Sequence, residues 1–125
     1  MEALPGRYAV CRLKPQAAAP TWAAGQFVSV TRSDRECSVI CRQESVPAGV
    51  VCQAGWRALR VQGKLPFDAV GVLAALAGAL AEAQVSLLAL ATYDTDYLLV
   101  PEGQWAAAVA ALQAQGHRVE GGDQG

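Results

Sequence analysis

Apolar and polar positions alternate through most of the first half of the chain. Arg7-Tyr8-Ala9-Val10-Cys11-Arg12-Leu13 has the period of a half-buried strand. Pro15 and Pro20 then bracket an alanine-rich loop with room for at most a turn of helix. Phe27-Val28-Ser29-Val30-Thr31 and Glu36-Cys37-Ser38-Val39-Ile40-Cys41 are two β-rich runs joined by polar Arg32-Ser33-Asp34-Arg35, the pattern of a hairpin. Residues 45–55, with Pro47, Gly49 and Gly55, predict little regular structure beyond a short turn or helix, and Trp56-Arg57-Ala58-Leu59-Arg60-Val61 alternates again as a strand. The rhythm then changes to helical spacing at Val72, Leu73, Leu76 and Leu80, with Glu82 opposite and Asp68 suited to the N-cap. An apolar run over 85–91 and another over 97–100 flank the polar stretch Thr92-Tyr93-Asp94-Thr95-Asp96 and predict a second hairpin. Trp105, Val109 and Leu112 form one stripe of a helix over 104–115, with Gly116 as its C′ residue. A closing edge strand is expected over 117–120 and a frayed tail over 121–125.

From Trp56 onward the order is strand, helix, strand, strand, helix, strand, which predicts an α+β, ferredoxin-like βαββαβ unit with two helices on one face of an antiparallel sheet. The first half repeats the arrangement without most of its first helix, as a degenerate copy. The expected division is a strand-rich, helix-poor N-terminal subdomain over 1–55, a complete unit over 56–120, and a flexible tail over 121–125.

Composition narrows the partners. Hydrophobic residues make up 53% of the chain, which excludes disorder for most of it. The formal net charge is −1 and the basic residues are scattered, so neither nucleic acid nor an anionic membrane is an expected partner. Residues 1–6 run directly into a strand-like segment rather than an apolar leader, and the apolar run 69–81 is too short to span a bilayer, so a cytoplasmic protein is expected. Cysteines 11, 37, 41 and 52 form no Cys-x-x-Cys pair, and the single histidine, His117, is distant in sequence. They read as reduced thiols acting as small hydrophobes, and no metal and no cofactor is expected.

The densest chemistry lies at the second hairpin, where two threonines, two tyrosines and two aspartates fall within the six residues 92–97. Ala91-Thr92-Tyr93-Asp94-Thr95-Asp96-Tyr97-Leu98-Leu99-Val100-Pro101 and Phe67-Asp68-Ala69-Val70-Gly71-Val72-Leu73-Ala74 resemble an ACT domain, the small regulatory module that binds amino acids. Phe27-Val28-Ser29-Val30-Thr31 with Gly55-Trp56-Arg57 extends the resemblance over nearly the whole chain, to a bacterial family of small tandem-ACT proteins. It is more distantly similar to the arginine-sensing CASTOR proteins. The resemblance implies a site for a free amino acid or related metabolite, and the physics of such a ligand suits the residues. A carboxylate fits the helix start near Val70, Gly71 and Val72, where backbone N–H groups are available and Gly71 has no Cβ, with Asp68 beside them as the N-cap. Asp94 or Asp96 can receive the ammonium or a cationic side chain, with Thr92, Tyr93 and Thr95 around them. Each residue has a plainer role beside this one: helix–sheet packing for Gly71, an Asx-turn for Asp94, a solvated strand end for Asp96, and sheet positions for the threonines and tyrosines.

Two further classes are weighed against a sensor. Asp94-x-Asp96 with His117 as base would suggest a metal hydrolase, but alternate residues of a strand point to opposite faces and no nucleophile or phosphate-loop motif accompanies them, so no enzyme is expected. A structural or oligomerisation module without ligand is the alternative, because the face bearing Ser86, Leu88 and Leu90 needs a cover. The alanine-rich helix faces, Ala74, Ala75, Gly78 and Ala81 or Ala106, Ala107 and Ala110, predict a homodimer.

Overall fold

A computed structural model of the protein describes residues 1–61 and 71–121. In chain order the elements are β1 (Glu2–Ala3), β2 (Tyr8–Leu13), β3 (Ser29–Arg32), β4 (Cys37–Arg42), β5 (Val51–Arg60), α1 (Val72–Glu82), β6 (Leu88–Ala91), β7 (Asp96–Pro101), α2 (Trp105–Ala114) and β8 (Glu120–Gly121). They form two compact units, Gly6–Trp56 and Met1–Pro5 with Arg57 onward. The first five residues therefore lie in the unit of Arg57 onward, apart from the strands that follow them.

The unit of Gly6–Trp56 has the strand order β3-β4-β2-β5. Numbered from its own first strand, that is the 2-3-1-4 order of a ferredoxin-like sheet, so the helix-poor half keeps the topology and lacks the helices. Where helices would lie, loop residues Trp22 and Ala23 and the residues Val46 and Val50 pack on Ala9, Cys11, Cys37, Val39 and Cys41. Three buried thiols thus serve as core. Cys11 is pushed up to about 12, first by burial and then by the neighbouring Cys41 and Cys52. The expectation of little regular structure over 45–55 is corrected here. A 3-10 turn occupies Gln43–Ser45, and β5 begins at Val51 rather than Trp56. Pairing overrides the turn signal: Arg12 faces Val51, Cys11 faces Cys52 and Val10 faces Gln53, and the register then shifts before Tyr8 meets Trp56. Gly55, with φ 83°, sits at that irregularity, where a left-handed backbone favours glycine.

In the other unit the strand order is β6-β7-β5-β1-β8. Helical and strand periods converge on one core: Leu59, Leu98 and Val100 from the sheet meet Leu76 and Leu80 of α1 and Leu112 of α2. Each fully buried leucine contributes about 1.5–3 kcal/mol relative to exposure. The stripe of α2 runs through Ala108 and Leu112, with Trp105 packed against the core. Both helices close with the same device, in which the residue two beyond the C-cap donates back to the C3 carbonyl. His117 N–H bonds to Leu112 O (3.0 Å) past Gly116, and Val85 N–H bonds to Leu80 O (2.9 Å) past Gln84. The final strand is shorter than the expected 117–120. It pairs parallel to β1, which is antiparallel to β5 through Glu2↔Arg60 and Ala3↔Leu59. The N-terminal pair Glu2–Ala3 thus holds the place beside β5 that the sequence order assigns to the last strand.

Candidate functional site

The residues singled out at the second hairpin are brought together at the end of β5. β6 and β7 pair antiparallel up to Ala91↔Asp96. Beyond that pair the turn is built by side chains. Thr92 Oγ1 accepts the Thr95 N–H (3.3 Å) and donates to Thr95 O (2.9 Å), while Thr92 N–H also donates to Thr95 O (2.8 Å). The hydroxyl takes the part that a backbone carbonyl would play in a tight turn, which is why a hydroxyl residue opens it. Thr95 is buried, and its own hydroxyl donates to Val61 O at 2.7 Å. Val61 N–H in turn donates to Asp96 O at 3.0 Å, so the end of β5 and the hairpin tip are bonded twice. Tyr93 is 81% exposed at the apex, Asp94 is exposed beside it, and the Asp96 side chain is half-buried at the strand mouth. The Thr92 hydroxyl is thereby committed to the turn and the Thr95 hydroxyl to Val61, and the aspartates are the charged side chains of the tip.

The helix-start residues divide. Asp68 and Val70 lie outside the described residues. Gly71 is the N-cap of α1, with φ 84°, and Val72 is the first helical residue and exposed at 36%. Ala75 N–H makes the first intrahelical bond, to Gly71 O at 2.9 Å, and no side chain caps the helix. A Cβ at Gly71 would meet no described atom within 4 Å, so glycine is required there by backbone conformation and not by close helix–sheet packing.

One charged network escaped the sequence reasoning. Arg60 Nε donates to the Tyr97 hydroxyl at 2.9 Å, with the guanidinium 5.4 Å from the ring centre, and its Nη1 reaches Glu2 Oε1 at 2.9 Å. The Tyr97 bond, against burial and with help from Glu2, holds the guanidinium above its ordinary pKa. Arg57, buried on the same strand, stacks 4.3 Å from the centre of the Trp105 ring. Two arginines inside an alternating strand were the available signal. Among the described residues, no group of His, Cys, Asp and Glu is arranged to hold a metal ion, and no helix is long and apolar enough to cross a membrane.

A family profile for the ACT domain matches residues 51–114, half of the chain. The chain belongs to the ACT-domain family. A second profile, described as an N-terminal domain, matches residues 6–49. An Agrobacterium tumefaciens protein of known crystal structure is 30% identical, with a TM-score of 0.90 over 99% of this chain and 92% of that one. The regulatory subunit of aspartate kinase from Thermus thermophilus superposes with a TM-score of 0.62 at 10% identity, over 89% of this chain and 93% of that one, a likeness of ACT fold. The human cytosolic arginine sensor for mTORC1 subunit 1 is 39% identical over 59 residues, which are 46% of this chain and only 18% of that protein's length. The ACT assignment agrees with the α+β, ferredoxin-like fold and its degenerate preceding half. ACT domains are regulatory rather than catalytic modules.

Proposed function

We propose that this ACT protein is a sensor that binds a free amino acid at the corner of its C-terminal unit formed by the end of β5, the tip over 92–96 and the start of α1. The observation that supports this reading is the pair of hydrogen bonds between the tip and Val61, from Thr95 Oγ1 to Val61 O and from Val61 N–H to Asp96 O, which tie the turn bearing Asp94 and Asp96 to the end of β5. A tip fixed in this way presents carboxylates without first ordering a loop, which favours binding. The ligand ammonium or cationic side chain pairs with Asp96 or Asp94, and its carboxylate takes the N–H groups at Gly71 and Val72 that precede the first intrahelical bond. Asp68, Val70, Thr92, Tyr93 and Thr95 complete the proposed surroundings. Arginine is the first amino acid to try, since an arginine sensor is among the relatives and two aspartates suit a cationic side chain.

The test is a melting series over the twenty amino acids with the wild type and Asp96→Asn. A ligand at about 100 times its Kd adds about 2.7 kcal/mol to the folded state. Asp96→Asn keeps the shape and should lower affinity ~10- to 150-fold, the effect of losing a charge-assisted hydrogen bond of about 1.5–3 kcal/mol. If Asp96→Asn responds fully to ligand while its unliganded form melts many degrees lower, Asp96 is structural and the site is elsewhere. If none of the twenty stabilises the wild type, the module is an oligomerisation scaffold.

A further inference from the structure

The N-terminal unit has a corner built like the proposed amino-acid site, and the charged side chains that line its cavity are cationic. There the first strand is β2 and the hairpin is β3–β4. Its tip is built by the same device: Ser33 Oγ accepts the Glu36 N–H (3.2 Å) and the Arg35 N–H (3.1 Å), and Ser33 N–H donates to Glu36 O (2.9 Å). Ser33 thus stands where Thr92 stands in the other hairpin. Arg35 falls at the position that Asp94 occupies in the other tip. Between this tip, the exit of β2 and the start of β5 lies a cavity of about 310 Å³ lined by Arg12, Leu13, Lys14, Pro15, Arg35 and Val51. Its lining is three cations and three apolar side chains. Among the described residues none of the three cations has a carboxylate partner; Asp34 and Glu36 on the same hairpin form no ion pair with them, and Glu36 Oε1 accepts the Ser38 hydroxyl at 2.7 Å. The wall is held in place by a fourth basic residue, since Arg32 donates to Pro15 O and to Ala17 O (2.7 Å), fixing the loop that follows β2 against the hairpin.

We propose that this cavity is a second ligand site, for a small organic phosphate. Three cations in one concavity, none with a carboxylate partner among the described residues, favour a ligand with more than one negative charge. Two guanidinium forks and an ammonium match the oxygens of a phosphoryl group, which guanidinium binds in bidentate fashion. Leu13, Pro15 and Val51 give an apolar wall for a short carbon stem, and a volume near the lower end of the ~300–1,000 Å³ of small-molecule sites suits a small metabolite rather than a dinucleotide. The two units would then read opposite charges with one architecture. This site does not depend on the amino-acid reading of the other corner.

Isothermal titration of the full chain with glycerol phosphate, and separately with pyrophosphate and sulfate at constant ionic strength, tests it. Glycerol phosphate should bind saturably with one site per chain, more tightly than sulfate, and Arg12→Gln and Arg35→Gln should each weaken it about tenfold or more with an unchanged circular dichroism spectrum. Both positions are exposed, so the variants should fold. Pyrophosphate binding with no response to glycerol phosphate would assign the cavity to inorganic polyanions and overturn the organic class. Equal binding of sulfate, unaltered affinity in both glutamine variants, or no saturable heat at millimolar ligand would overturn the site.

Discussion

Replacing Thr95 by valine keeps the outline of the side chain and removes the hydroxyl that joins the hairpin tip to Val61 O. A buried carbonyl left without that donor loses about 1–3 kcal/mol, and Thr95→Val should be destabilised by that amount in urea denaturation. Thr92→Val, whose hydroxyl works within the exposed turn, should lose only about 0.5–1.5 kcal/mol. An equal loss in both would show that the bond to Val61 contributes nothing beyond the turn. At this scale the sequence was partly legible. The crowding of 92–97 marked a special turn, but nothing in Thr-x-x-Thr says which hydroxyl turns inward, since that depends on β5 ending beside the tip. Gly71 was noticed for its missing Cβ, whereas its φ of 84° is the property the fold uses.

Among the elements, the two helices end alike but with different residues in the left-handed position, Gly116 after α2 and Gln84 after α1 at φ 60°. A non-glycine residue in that conformation costs about 1–2 kcal/mol. Gln84→Gly should therefore raise stability by up to about 1 kcal/mol, which for a domain of this size is a melting shift of ~4 °C, with the backbone bonds from Gln84 and Val85 kept. A lower melting temperature would mean that the Gln84 side chain holds the turn by contacts stronger than that strain. Helix spacing at Leu76, Leu80 and Leu112 made α1 and α2 readable, because a helix of ten or eleven residues states its period several times. Two-residue strands state none, so β1 was missed and the closing strand, expected over 117–120, was drawn too long and ended one residue early. The first half of β5 was hidden for another reason: Pro47, Gly49 and Gly55 signal turns, and only pairing with β2 makes the backbone between them extended.

For the whole molecule, the alanine-rich faces stay uncovered in a single chain: Ala74, Ala75, Gly78 and Ala81 on α1 are exposed, as are Ala106, Ala107 and Ala110 on α2. Small residues let helices approach closely, and ACT modules often oligomerise, so light scattering at micromolar protein should give twice the chain mass of 13.0 kDa. A mass of one chain, with and without ligand, would assign the alanines to helix propensity alone.

The position of Glu2–Ala3 between β5 and β8 also has a consequence for synthesis. These residues are made before both of their strand neighbours, and β8 is the last of the described elements. The strands of Gly6–Trp56 can pair as soon as β5 has started, whereas Glu2–Ala3 has its β5 edge only once Leu59 and Arg60 are made and its β8 edge more than a hundred residues downstream. Folding in the cell is therefore expected to run from the strands of Gly6–Trp56 outward, with Glu2–Ala3 among the last residues to dock. A nascent chain stalled before β8 should already protect β2–β4 from hydrogen exchange while leaving the Ala3 amide open.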